Sequence, residues 1–154
     1  RLYGHAGIGH GLLMGQFVSG GGELLAGGEA TSETCYAPTV LYDPPGDARV
    51  SVLEIFGPVV CVYPYDEVDE AIARSNSLPY AFQASVFTSD IDTALRASRR
   101  LDASAVMVND HPAFRVDWMP FAGLRESGIG VGGIPYTMND MQIKKLVVVR
   151  SKEL

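Results

Sequence analysis

Residues 59–109 read VVCVYPYDEVDEAIARSNSLPYAFQASVFTSDIDTALRASRRLDASAVMVN, and this stretch decides the fold. Residues 59–63 (VVCVY) form a short β-branched apolar run, the pattern of a buried strand. Asp66 then offers a helix N-cap with Asp69 three residues on, and Val68, Ala71, Ile72 and Ser75 recur at helical spacing as far as Asn76. After SLPY, residues 84–88 (ASVFT) predict a second strand. Ser89 with Asp92 repeats the cap signature, and Ile91, Ala94, Leu95, Ser98 and Leu101 give a second amphipathic helix. Residues 105–109 (AVMVN) make a third strand. Strand, helix, strand, helix, strand with short connections predicts an α/β fold, a mostly parallel sheet with helices packed against it.

The flanks are less regular. Residues 12–18 suit a helix, 23–26 a short strand between glycine clusters, and 39–42 another strand closed by Asp43-Pro44-Pro45-Gly46. Past Asn109 a long stretch rich in Gly and Pro runs to about Tyr136, a length that in a compact domain marks a functional or poorly ordered loop. Residues 144–151 (KKLVVVRS) predict a final strand with a basic edge.

Composition narrows the function classes. The 154 residues are 47% hydrophobic and 19% charged, which is globular composition. A formal net charge of −6 leaves no basic face for nucleic acid. No apolar run is long enough to span a bilayer, and no secretory signal opens the chain. Cys35 and Cys61 share no motif, which gives neither a metal knuckle nor a disulfide framework and favours a reduced, cytoplasmic protein. His5 and His10 lie five apart in a Gly-rich opening, off the helical spacing of a ligand pair, so no metal site is expected.

Three motifs carry further information. Residues 128–133 (GIGVGG) match G-x-G-x-x-G literally, but the dinucleotide fingerprint needs a strand before it and a helix after it. A loop precedes this one and Ile134-Pro135 follows, so a flexible turn is the better reading. The second motif is LEIFGPV, residues 53–59, directly before the first clear strand. The third is PFAGLRESG, residues 120–128. Taken alone, Glu54 reads equally well as a surface carboxylate, Phe56 as a core aromatic, and PFAG as a tight turn.

In ordered series these segments resemble the aldehyde dehydrogenase superfamily. EIFGPVV is followed by a βα unit and by N-x-x-x-Y-x-x-x-A-x-V-F-T-x-D, running here from Asn76 through Tyr80, Ala84, Val86, Phe87 and Thr88 to Asp90. Upstream, Leu24-Leu25-Ala26-Gly27-Gly28 and Pro38-Thr39-Val40-Leu41 are similar to the family's "GG…PTV" run. Downstream, Val108-Asn109, PFAGLRESG and KKLVVV align in order, so the resemblance covers roughly residues 20 to 151. NDHPAFRVDWMPFAG with GVGGIPYTMNDM looks closest to the branch holding lactaldehyde, phosphonoacetaldehyde and non-phosphorylating glyceraldehyde-3-phosphate dehydrogenases. Two departures replace a glycine. The family's PFGG reads PFAG, with Ala122, and its YGL reads Tyr80-Ala81-Phe82, so both turns are expected to differ slightly.

The resemblance implies a division into an unmatched segment 1–15, the C-terminal part of an aldehyde dehydrogenase catalytic domain over 16–143, and an oligomerisation strand 144–154. It implies oxidation of a small-molecule aldehyde to a carboxylate with NAD or NADP. In the family a thiolate attacks the carbonyl, hydride passes to the nicotinamide, and water releases the acid. The nucleophilic cysteine and general-base glutamate lie upstream of everything matched, and neither Cys35 nor Cys61 sits in the nucleophile's motif. The chain therefore contributes no catalytic residue and is expected to be inactive by itself. Glu54 resembles the glutamate that accepts hydrogen bonds from the nicotinamide ribose hydroxyls, and Phe56 the aromatic that packs near the nicotinamide. Residues 110–118 fill the place of the substrate-anchor loop. There His111, Phe114 and Arg115, with Phe121 beyond, are the candidate substrate-binding residues, Arg115 pairing with an anionic tail or, alternatively, with Asp110 or Asp117. A homo-oligomer, dimer or tetramer, is implied. Two other readings stay open: a non-catalytic binding or assembly module of the same fold, and part of a CoA-acylating relative.

Overall fold

The computed structural model describes residues 22–153. The expected helix over 12–18, the segment 1–15, and His5 and His10 lie outside the described residues. The chain divides into two compact units between Asp66 and Glu67.

In the first unit β1 (Glu23–Ala26), β2 (Thr39–Tyr42) and β3 (Val59–Val62) form one sheet in the order β1-β2-β3. All three are strands read from sequence, the third there one residue longer, to Tyr63. β1 runs antiparallel to β2, with a register irregularity between Leu24 and Ala26. β2 and β3 are parallel, Thr39 opposite Val59 through Tyr42 opposite Val62. A parallel return needs a crossover, and residues 43–58 supply it with the short helix α1 (Arg49–Val52), which the sequence reading missed. Central in its sheet, β2 points Leu41 and Thr39 into the interior, both essentially inaccessible. A buried hydroxyl must be paired, and Thr39 Oγ1 is. It donates to Ala37 O (2.9 Å) and accepts from Gly28 N–H (2.9 Å). Gly27 makes this approach possible: at φ 73° a Cβ would lie 2.1 Å from Pro38 O.

The second unit contains α2 (Val68–Asn76), β4 (Tyr80–Ala81), β5 (Gln83–Val86), α3 (Ile91–Arg100), β6 (Ala105–Val108), β7 (Leu124–Arg125) and α4 (Ile134–Asp140). β5-α3-β6 is the expected crossover, with β5 and β6 parallel from Gln83 opposite Ala105 to Val86 opposite Val108. Ala94 and Ala97, one turn apart on α3, are buried with Ile72 of α2 and Met107 of β6. Small side chains on that face let α3 lie close to its neighbours. Asp69 of α2 pairs with Arg96 (3.2 Å) and Arg100 (2.6 Å) of α3.

Several expectations are corrected. The anticipated single β-α-β-α-β sheet is divided, because β3 takes its parallel partner from upstream, β2, while β5 pairs with β6. The N-cap of α3 is Asp90, not Ser89: Asp90 Oδ2 accepts from Thr93 N–H at 2.8 Å. Hydrogen bonding from Thr93 holds the Asp90 carboxyl below its ordinary range. For α2 the N-cap is Glu67 rather than Asp66, without a side-chain cap bond. The stretch after Asn109 is less irregular than expected. It contributes β7, antiparallel to β4, a bridge between Phe121 and Gly132, and α4. Neither Ala81 nor Ala122 is among the residues with positive φ, so the departures at YAF and PFAG leave no strain in those turns. The predicted final strand is not a strand within this chain. Leu146, Val147, Val148 and Val149 are 68–86% exposed, and among the described residues the segment has no ladder partner. A β-strand is completed only by a neighbouring backbone.

Candidate functional site

Glu54 and Phe56 lie on the connection between α1 and β3. The backbone turns sharply around Phe56, Gly57 N–H donating to Ile55 O at 2.8 Å. The ring is 90% exposed, so it is not the core aromatic that one reading of the sequence allowed. Glu54 is exposed too, and both carboxylate oxygens are without a protein partner among the described residues. A carboxylate offering two acceptors, two residues along the chain from a bare ring, suits a vicinal diol attached to a flat heterocycle.

The second group of residues belongs to the other unit and is built on the end of β6. Asn109 N–H extends the parallel ladder to Val86 O (2.9 Å). Its side chain then takes over from the backbone: Oδ1 accepts from Thr88 N–H (2.8 Å) and Nδ2 donates to Thr88 O (2.9 Å). Asn109 holds both bonds at φ 56°, a conformation that Asn tolerates better than most residues. The chain therefore leaves the carboxyl end of a parallel strand pair in a fixed direction, the place where open α/β sheets hold ligands. Residues 110–118 start there.

Within that loop the predicted residues separate. His111 is exposed, its Nε2 3.9 Å from Asp110 Oδ1, and Phe114 is exposed. Arg115 and Phe121 come together, the guanidinium carbon 4.1 Å from the ring centroid. Phe121 in turn meets Phe82 edge-on, centroids 4.8 Å apart at 90°. Among the described residues Arg115 forms no ion pair with Asp110 or Asp117, so the alternative partners suggested by sequence do not hold it.

The PFAGLRESG turn is anchored by residues that sequence reading left unassigned. Arg125 Nη1 donates to Asn76 O (2.9 Å) and Leu78 O (2.7 Å), and Nη2 pairs with Asp102. Asn76 joins the same knot, donating to Arg100 O and accepting from Asp102 N–H. Ser127 Oγ accepts from Ala81 N–H (2.9 Å). Gly123 cannot carry a side chain, since its Cβ would stand 2.3 Å from Ser127 O. For Arg125 the signal in the sequence was its place in the PFAGLRESG motif, which says nothing of its partners. Nothing local in the sequence announced Phe82.

The glycine series 128–133 does precede a helix, α4, but what lies before it is the two-residue antiparallel β7 rather than the strand of a βαβ unit. Of the two thiols, Cys35 is exposed and lowered in pKa by hydrogen bonds with Ser32 and Thr34, whereas burial raises Cys61, half-buried in β3. No group of His, Cys, Asp and Glu able to hold a metal occurs among the described residues.

The aldehyde dehydrogenase family model matches residues 13–147. The chain belongs to the aldehyde dehydrogenase family. It is 36% identical to 3-sulfolactaldehyde dehydrogenase of Priestia aryabhattai over 132 residues, covering 86% of this chain and 28% of the relative. It is 37% identical to lactaldehyde dehydrogenase of Methanococcus maripaludis, covering 90% and 30%. Aldehyde dehydrogenase 21 of Physcomitrella patens, solved with its reaction product succinate, superposes with TM-score 0.88 at 39% identity, covering 94% of this chain and 30% of that one. Glyceraldehyde-3-phosphate dehydrogenase GapN of Methanocaldococcus jannaschii, complexed with NADP, gives TM-score 0.80 at 31% identity, with 88% and 29% covered. This aldehyde dehydrogenase chain thus spans less than a third of the length of these relatives.

Proposed function

We propose that the chain is the C-terminal part of the catalytic domain of an NAD- or NADP-dependent aldehyde dehydrogenase that oxidises an aldehyde with an anionic tail to the corresponding carboxylate. The observation that carries the substrate half of this reading is Arg115, a permanent cation laid on the Phe121 face with no acidic partner among the described residues. A guanidinium so placed offers its fork of donors to a carboxylate, sulfonate or phosphate. Relatives named for 3-sulfolactaldehyde and aspartate semialdehyde, and a structural neighbour holding succinate, point the same way. His111, Phe114 and Phe121 complete the lining.

Glu54 and Phe56 fit the cofactor. The exposed carboxylate would accept from the ribose hydroxyls, and the exposed ring would limit the swing of the nicotinamide. The dinucleotide, when bound, supplies the hydride acceptor. Support comes from neighbours solved with NADP and with NAD. Neither Cys35 nor Cys61 is assigned a catalytic role, and we place the nucleophile outside this chain. Residues 144–154 pair with a second subunit, in a dimer or tetramer, and the setting is cytoplasmic. No helix among the described residues is long and apolar enough to cross a membrane.

The test is Arg115→Ala in the enzyme that carries this segment. Charge-assisted hydrogen bonds contribute about 1.5–3 kcal/mol, so KM for succinic semialdehyde should rise roughly tenfold or more while KM for butanal holds. Equal losses on both substrates would make Arg115 structural and remove the anion-site assignment.

A further inference from the structure

We propose that Phe82 is a positioning residue for anionic substrates, acting through Phe121 on Arg115. The inference rests on the anion-site reading of Arg115 and adds the part of the fold that aims it. Arg115 lies on an exposed loop whose long side chain is free to sample many rotamers. Its guanidinium nevertheless sits 4.1 Å over the Phe121 centroid. Phe121 is fixed on its backbone side by a reciprocal pair of hydrogen bonds with Gly132, 3.1 and 2.8 Å. On its side-chain side it is fixed by Phe82, edge-on at 4.8 Å and 90°. Phe82 is itself on rigid backbone. It lies between β4 and β5, its carbonyl accepting from both Ser104 N–H and Ser104 Oγ at 2.8 Å. The neighbouring Ala81 N–H is held by Ser127 Oγ. The ring that faces the guanidinium is therefore gripped from the sheet, and orientation passes outward from Ser104 to Phe82, Phe121 and Arg115.

An edge-to-face aromatic contact depends on the quadrupole of both rings, so an aliphatic side chain of similar volume fills the space without fixing the partner's plane. The family pattern has leucine at this position, in YGL, where this chain has Phe82. Phe82→Leu is thus a substitution that the fold should accept, and one that releases the Phe121 plane.

The experiment measures KM and kcat for succinic semialdehyde and butanal in the enzyme carrying this segment, for Phe82→Leu, Phe82→Tyr, Arg115→Ala and the Phe82→Leu/Arg115→Ala pair. In Phe82→Leu, KM for succinic semialdehyde should rise roughly three- to tenfold, with kcat and both butanal constants within about twofold of wild type. Phe82→Tyr, which keeps the ring edge, should behave as wild type. The double variant should be no less selective than Arg115→Ala alone, because Phe82 acts only through that side chain. Should Phe82→Leu fold poorly, Phe82→Met serves in its place, and the Arg115 δ-proton shift in the 154-residue chain gives an activity-free readout. That resonance should lie upfield under the Phe121 ring and move downfield on Phe82 substitution. If Arg115→Ala is selective while Phe82→Leu is neutral, or affects both aldehydes equally, the positioning role is overturned and the anion site stands. If Arg115→Ala itself shows no selectivity, the anion-site reading fails first.

Discussion

Replacing Asn109 by alanine removes the two side-chain bonds to Thr88 and leaves a Cβ residue at φ 56° without the compensation that Asn enjoys. Both bonds are solvent-exposed, which places each at the low end of the net hydrogen-bond range, about 0.5 kcal/mol. The left-handed backbone adds roughly 1 kcal/mol for alanine. The expected loss is therefore about 2 kcal/mol for Asn109→Ala. Asn109→Gly forfeits the same bonds but not the conformation, and with about 0.5 kcal/mol for the extra freedom of the unfolded chain should cost about 1.5 kcal/mol. Urea unfolding at constant slope measures both, and thermal midpoints should fall by roughly 4–8 °C and 3–6 °C respectively. Since the loop carrying Arg115 leaves the sheet at this residue, the alanine variant should also lose selectivity between anionic and neutral aldehydes. If glycine is less stable than alanine by about 0.5 kcal/mol, the entropic difference alone, backbone conformation contributes nothing. If both match wild type, the amide bridge is ornamental and the account of how the loop is aimed fails.

Leu41 is wholly buried at the centre of the first sheet, so Leu41→Ala should destabilise by roughly 2–5 kcal/mol, seen as a lower urea midpoint with unchanged slope. Asp90 and Asp69 have pKa values lowered in the folded state, by Thr93 and by Arg100 respectively. Their contribution is full above the ordinary aspartate value of 3.8 and is lost as pH falls through the depressed folded values, so Asp90→Ala should shallow the acid limb of stability against pH. An unaltered acid limb would mean that the cap does not couple to global unfolding. Sedimentation of the chain with and without residues 144–154 should show an oligomer only in the longer form, because Leu146 to Val149 carry exposed apolar side chains on a segment with no ladder partner among the described residues. Monomers in both forms at micromolar concentration would refute that pairing.

By itself the sequence determined the strands at 23–26 and 39–42, those at 59–63 and 105–109 to within one residue, the two longer helices, and the family. Those are features of local pattern and ordered motif, which depend on neighbours a few residues away. It also bounded the loop 110–118, since Asn109 and PFAG bracket it. Three things needed the tertiary structure. Strand partners were one: β3 pairs with β2 and not with β5, a choice made by which crossover returns the chain beside which edge. Caps were another, because Asp90 and Ser89 are equally good acceptors in sequence and only backbone direction selects the one that reaches Thr93 N–H. The last was the alignment of Phe82, Phe121 and Arg115, and the grip of Arg125 on Asn76, Leu78 and Asp102. Those contacts join residues far apart along the chain, and no periodicity in a sequence encodes a distance that folding alone sets.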